Sequence, residues 1–292
     1  MDALKVAGAD ESVPKIDLAT EYMPFVDEIF TTESKKSLIT NNDFNFTAAR
    51  VVKIYKITTA QMNDYDRNGT NGQYSRYGEV KDLAATTETF ILQQDRSFTF
   101  VIDLMDNDET KSNLAAATAL ARQVREVVIP EVDTYTYKVM CDGAGIKPTP
   151  VKLTADNIYN LIIDANRQLD NAEVPETGRC LLVTPDVYML MKKCPDITME
   201  TDIGEDMRLK GVISNLDGLT VLKIPENRLP ENFGFMIAHP SATVAPLKLE
   251  KYMNHFCPPG VCGYLVEGRI YYDAFVLENK TKAICYQAQT AE

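Results

Sequence analysis

The chain has 292 residues, with 30 Lys or Arg against 42 Asp or Glu and a formal net charge of −12. That balance excludes a protein that grips nucleic acid through its phosphates, which needs a cationic surface to release counterions. Only two imidazoles, His239 and His255, are available for catalysis, and 45% hydrophobic with 25% charged residues describes an ordered globular chain.

The N-terminus, Met1-Asp2-Ala3-Leu4-Lys5, lacks the basic region and apolar stretch of a signal peptide. No apolar run approaches the roughly 18 residues that span a bilayer, so no membrane contact is expected. Six scattered Cys (Cys141, Cys180, Cys194, Cys257, Cys262, Cys285) read as free thiols of a reducing cytoplasm.

Residues 1–46 read as an arm rather than a domain. They hold four Lys against nine Asp or Glu, a net of −5, with a short helix expected near Ile29 to Leu38. Such a segment buries little on itself and is expected to lie along a neighbouring subunit. Val51-Val52-Lys53-Ile54-Tyr55-Lys56-Ile57 is β-branched and aromatic, and Thr86 to Leu92 is its expected antiparallel partner. The excursion between them, Gln61 to Asp82, is too long for a tight turn, and such excursions are usually functional or mobile. Phe98, Phe100, Ile102 and Leu104 then alternate with polar or smaller residues, as in a half-buried strand.

Asp106-Asn107-Asp108-Glu109 is an acidic helix start, and Leu114, Ala117, Ala121, Val124 and Val128 fall on one stripe. A helix from Asp108 to about Lys138 would span roughly 45 Å. Pro130 should kink it or mark a joint. Gly143, Gly145, Pro148 and Pro150 suggest a hinge. Beyond it, Thr154 is expected to cap a helix with the apolar face Ile158, Leu161, Ile162, Ala165 and Leu169. Cys180 to Val183 reads as a buried strand, and Thr184-Pro185 as the cap and first position of a helix that Pro195 stops. Further strands are expected at Leu219 to Ile224, Phe233 to Ala238, Ile270 to Leu277 and Ala283 to Tyr286, with no internal repeat.

Little in the sequence carries chemistry. Asp64, Asp66 and Asn68, followed by Gly69, match the first half of a calcium loop, but the position for the bidentate Glu is Ser75. A solvated loop tip explains the same residues. His255, Cys257 and Cys262 lie close together without the further ligand a structural zinc site needs, so a proline turn is the better reading. There is no nucleophile elbow and no phosphate loop. Asp142-Gly143-Ala144-Gly145 has no strand–turn–helix context. Asp202, Glu205 and Asp206 read as a solvated acidic loop, and Tyr135 and Tyr137 as packing residues. No catalytic residue, metal or cofactor is assigned. A well-structured chain with long protrusions and no reactive constellation points to assembly.

The order of elements meets specific words in the sequence: Arg96-Ser97-Phe98-Thr99-Phe100; Val128-Ile129-Pro130-Glu131-Val132-Asp133; Gly178 to Pro185; Leu216-Asp217-Gly218 with Ile224-Pro225; Met236 to Ala242; and Gly268 to Val276. In this order, over about residues 47–286, the chain resembles a tailed-bacteriophage major capsid protein of the Hong Kong 97 type. The resemblance implies an α+β capsid fold. Residues 1–46 would be the N-terminal arm, 47–96 the extended β-hairpin loop, and 97–148 the peripheral domain with its long spine helix. Residues 149–248 would be the axial domain, and 249–292 the return strands of the peripheral domain.

It also implies a structural coat protein that self-assembles into pentamers and hexamers of an icosahedral head around double-stranded DNA, without sequence-specific binding. The expected place is the virion, with the bacterial host cytoplasm during assembly. A separate scaffolding protein, a portal and decoration proteins are the implied partners. With 46 residues ahead of the first strand, no internal scaffold of the kind some members carry fits. Tyr74, Arg76 and Tyr77 near the loop tip, with Arg67 and Lys81 beside them, are the candidate inter-subunit contacts, being of types enriched at interface anchors. Lys81 with Asn254 or Asn279 matches a Lys–Asn crosslink by residue type alone. The rival readings are an encapsulin-like compartment shell and a small cytosolic α/β enzyme.

Overall fold

A computed structural model of the chain describes residues 34–41, 51–57, 62–69, 75–78, 85–105, 116–199 and 215–290. The expected hairpin is formed by β1 (Val51–Ile57) and β2 (Ala85–Ile91), antiparallel, with Val51 opposite Ile91 and Ile57 opposite Ala85. Leu92 and Gln93 lead into β3 (Gln94–Asp103), where Phe98, Phe100 and Ile102 turn inward and Ser97, Thr99 and Val101 turn out.

The long helix is continuous through its described part. It comprises α1 (Ala116–Gln123), a π turn at Val124–Val128 and α2 (Ile129–Gly143). Its expected start at Asp108 lies outside the described residues, and its end is Gly143 rather than Lys138. Pro130 marks a joint, as expected, but by widening the turn ahead of it. Proline has no N–H for the preceding turn, and the Ile129 N–H bonds back to the Val124 carbonyl, the five-residue step of a π bulge. The expected apolar stripe is rotated. Ala116, Ala119 and Leu120 pack toward the strands, while Ala117 and Ala121 are exposed. In an alanine-rich stretch the one bulky side chain, Leu120, decides which face goes inward.

The second half of the chain builds an α/β layer: α3 (Ile158–Asn171), β4 (Cys180–Val183), α4 (Pro185–Lys193), α5 (Pro195–Met199), β5 (Asn215–Leu216), β6 (Leu219–Lys223) and β7 (Phe233–Ala238). One of the two expected caps forms. The residue ahead of α3 is Asn157 rather than Thr154 and makes no side-chain cap bond; its Oδ1 instead takes the Thr154 N–H at 2.8 Å. Thr184 Oγ1 accepts from the Val187 N–H at 3.2 Å. The chain then passes β8 (Thr243–Val244), β9 (Leu247–Phe256), β10 (Gly263–Tyr272), β11 (Phe275–Val276) and β12 (Ile284–Ala288).

Two sheets organise these strands. One is antiparallel, in the order β3-β10-β9, and carries α1 on its Phe100, Ile102 and Val266 face. The other has the order β12-β7-β4-β6-β5, with β4 and β6 parallel and the other pairs antiparallel. Its middle strands β4 and β7 are buried throughout. On one face lie Ile158, Ile162, Leu169, Val187 and Met191 of α3 and α4, and on the other Tyr137, Met140 and Cys141 of α2. Cover on both faces explains why β4 and β7 read as unbroken apolar runs.

Residues 249–292, expected together with the peripheral strands, divide in space. β9 and β10 pair with the β3 sheet, but β12 pairs with β7, and Ile284 and Cys285 are fully buried there. The ladder edge of β7 needs a partner, and β12 supplies it. The expected glycine hinge is likewise stitched shut. The Gly145 N–H bonds Thr281 O, Ile146 bridges to Cys285, and a side chain on Gly145 would meet the Thr281 carbonyl carbon at 2.6 Å.

Candidate assembly surfaces

The loop tip is held by its own backbone. The Asp66 N–H bonds Arg76 O at 2.9 Å, which joins the two limbs of the excursion. Asp66 Oδ1 accepts the N–H groups of Asn68 (3.0 Å) and Gly69 (2.8 Å), an Asx-type turn. Asn63 Nδ2 donates to Tyr77 O, and the rings of Tyr65 and Tyr77 meet edge to face at 5.0 Å. Of the candidate contacts, Arg67, Arg76 and Tyr77 are exposed, Tyr77 to 78%. Tyr74 and Lys81 lie outside the described residues. Asn254 sits on exposed β9, and Asn279 in the exposed turn before β12.

The calcium-loop residues have a structural account. Asp66 presents Oδ1 to main-chain N–H groups of its own turn, Asp64 and Asn68 are exposed, and among the described residues no group of three His, Cys, Asp or Glu could hold a metal. His255 lies 3.5 Å from Glu267 across the β9–β10 hairpin, and Cys257 and Cys262 are exposed in the turn that joins the strands. Asp202, Glu205 and Asp206 lie outside the described residues.

Where the arm is described, residues 34–41 dock on their own chain. Ile39 is fully buried in the core beside α2, and the Asn41 N–H bonds Thr243 O at 2.7 Å. Ser34 Oγ donates to Asp133 Oδ1 at 2.7 Å, and Arg228 Nη1 lies 3.0 Å from Asp133 Oδ2. Arm, long helix and the Glu226–Arg228 turn thus share one buried carboxylate. Burial is the largest influence on Asp133 and raises its pKa, against the opposing effects of Ser34, Arg228 and Lys36.

A second carboxylate ties the hairpin to the body. Asp273 Oδ2 accepts the Gln93 N–H (2.8 Å), and Oδ1 accepts the Tyr135 hydroxyl (2.7 Å) and the Ala274 N–H (2.8 Å). Burial, then the bond to Asp273, pushes the Tyr135 phenol up. Tyr135 therefore packs, as expected, but also bonds. Sequence reasoning missed both hubs. A lone Asp inside an otherwise apolar pattern, as in Tyr271-Tyr272-Asp273-Ala274-Phe275, was the available signal.

No protein-family model and no curated protein matches the chain. Solved structures do. The chain is similar to a structure from Mycobacterium phage Che8 at 18% identity and TM-score 0.75, with 96% of this chain and 98% of that chain covered. It is similar to the capsid structure of the Cyanophage P-SCSP1u at 11% identity and TM-score 0.77, covering 94% and 93%. It is also similar to the mature capsid of bacteriophage PhiM1 at 13% identity and TM-score 0.69, covering 94% and 92%. At these identities the likeness establishes the fold: the chain has the α+β fold seen in these phage structures, over nearly its whole length.

Proposed function

We propose that this chain is a structural coat protein, the major capsid subunit of a tailed-bacteriophage head, and that its place is the virion. One observation carries the reading: the likeness to the cyanophage capsid structure runs end to end, covering 94% of this chain and 93% of that one. A shared module would match in part; a shared subunit matches whole.

On this reading, copies form pentamers and hexamers of a closed shell, using heterologous contacts that close under symmetry. The shell encloses double-stranded DNA without gripping it, in keeping with a net charge of −12. Arg67, Tyr74, Arg76, Tyr77 and Lys81 are the proposed contacts to the next subunit. Exposed Tyr77, backed by Tyr65, supplies a rigid aromatic surface for that role. Assembly takes place in the host cytoplasm with a separate scaffolding protein, and a portal and decoration proteins complete the head.

The test is expression of the full chain, alone and with a candidate scaffold, followed by electron microscopy. Closed shells are expected, and removal of residues 61–82 is expected to abolish them. Monomers under every condition, or shells that are indifferent to that deletion, would sink the corresponding part of the reading.

A further inference from the structure

Of the six cysteines, four are buried and two are exposed, and the exposed two, Cys257 and Cys262, share one turn. Their placement follows from the turn between β9 and β10. Pro258-Pro259-Gly260-Val261 is closed by the Val261 N–H on Pro258 O at 3.0 Å, with Gly260 at φ +88°. Proline followed by a left-handed glycine at the two central positions is the pattern of a type II turn. The next rung is the Cys257 N–H on Gly263 O at 2.7 Å, and Phe256 then pairs with Tyr264. Cys262 is the one residue left between these two rungs. It makes a bulge, in which two residues of one strand, Cys262 and Gly263, oppose one of the other, Cys257. The Leu104 N–H bonds Cys262 O at 3.1 Å, which ties the bulge to the end of β3. Cys257 itself is held at φ +43°, a left-handed backbone that a non-glycine residue seldom adopts.

Opposed residues of an antiparallel pair stand about 4.5–5.5 Å apart at Cα, and a disulfide bridges roughly 4.4–6.8 Å. We propose that Cys257 and Cys262 are a redox pair that closes to an intrachain disulfide at the tip of the β9–β10 hairpin, with a small-molecule disulfide of the glutathione class as oxidant. The thiolate of one cysteine attacks a sulfur of the oxidant, breaking its S–S bond and releasing one thiol. The thiolate of the other attacks the mixed disulfide, forming the Cys257–Cys262 bond and releasing the second thiol. Two electrons pass from the pair to the oxidant, and both protons leave with the released thiols. Phe256 and Tyr264, whose ring centroids lie 5.2 Å apart on the last full rung, hold the strand ends together meanwhile. On the coat-protein reading, the pair stays reduced in the host cytoplasm and closes once the particle is outside. The ring then stiffens the end of a hairpin whose outer strand, β9, is a sheet edge.

The chemistry needs only one chain and does not depend on copies forming a shell. Its test uses the full-length, unassembled chain, reduced and then incubated with oxidised glutathione, with free thiols alkylated before trypsin digestion. Lys251 and Arg269 bracket both cysteines, so one peptide, Tyr252 to Arg269, carries the readout. It is expected to lose about 2 Da, the mass of the two thiol hydrogens, and to retain no glutathione. C257S and C262S should each keep one glutathione on the remaining cysteine instead. The equilibrium constant for closure should be at least about tenfold higher in buffer than in concentrated urea, because the ladder holds the thiols at a higher effective concentration. Glutathione retained on both wild-type cysteines, disulfide-linked dimers in place of the ring, or equal constants in buffer and urea would each overturn the proposal. Shell formation, read by microscopy, tests the coat-protein reading separately.

Discussion

Arg228 Nη1 sits 3.0 Å from Asp133 Oδ2, joining a turn of the α/β layer to the long helix, with neither side chain more than 5% exposed. Removing one partner leaves the other charge buried without its counter-charge. Asp133→Ala should destabilise the subunit by about 3–5 kcal/mol, whereas replacing both with apolar residues of similar volume (D133L with R228M) should cost much less. Urea unfolding of the unassembled subunit checks both. Equal losses in the single and double variants would show that the pair matters only as volume.

His239 links two turns: its Nδ1 lies 2.8 Å from Ser241 Oγ, and its Nε2 lies 3.2 Å from Thr177 O. Burial, more than the Arg179 and Lys280 charges, holds its pKa below 6.5. The unfolded chain therefore binds the proton more readily than the folded one. The stability contributed by neutral His239 is complete above about pH 6.5 and is lost as pH falls through the depressed folded value. His239→Gln should flatten the pH dependence of melting temperature in that window. The same slope in wild type and variant would contradict the assignment.

The thiols divide by burial. Cys141 and Cys285 are pushed up to about 12, chiefly by burial, and Cys180 is raised by burial alone. Cys194 is fully buried, while Cys257 and Cys262 are exposed. Brief alkylation of the unassembled subunit at pH 8 should modify Cys257 and Cys262, with the other four reacting only in denaturant. Mass spectrometry reads the sites directly, and label at Cys141 or Cys285 in the native chain would count against this packing.

Gly145 has no room for a methyl group. A side chain there would approach the Thr281 carbonyl carbon at 2.6 Å and Lys282 N at 2.8 Å, both backbone atoms that cannot rotate away. Gly145→Ala should destabilise by about 1–3 kcal/mol, as overpacking does. Thermal melts check it. Gly218→Ala is a contrasting control, since nothing lies within 4 Å and its left-handed backbone (φ +74°) is the only strain.

The strands and the Thr184 cap were legible because their signals are local. Val51–Ile57, Cys180–Val183 and Phe233–Ala238 carry their own periodicity, and Thr184-Pro185 carries its own cap. What was not legible depends on distant partners. β9 alternates poorly, as Leu-Lys-Leu-Glu-Lys-Tyr-Met-Asn-His-Phe, because it is an edge strand with little to bury. The docking of Ile39 beside Tyr137 and Met140 spans about a hundred residues, and no local pattern announces it. The glycine pair at 143 and 145 looked like freedom, yet marks close approach to Val276 and Thr281. Tyr74 and Lys81 are candidates by residue type, which ranks surfaces but does not locate a partner.

The pairing of β12 with β7 sets the order in which the molecule can form. The β9–β10 hairpin is inserted between β7 and β12, so its sheet lies inside the chain path of the other. The apolar layer containing Phe235 and Ile237 stays open until Cys285 arrives, nearly fifty residues later in synthesis. Folding dominated by such non-local pairing is slow, and a nascent chain that stops short of residue 288 lacks one wall of its core. The last strand of the chain is thus the one that closes the α/β core.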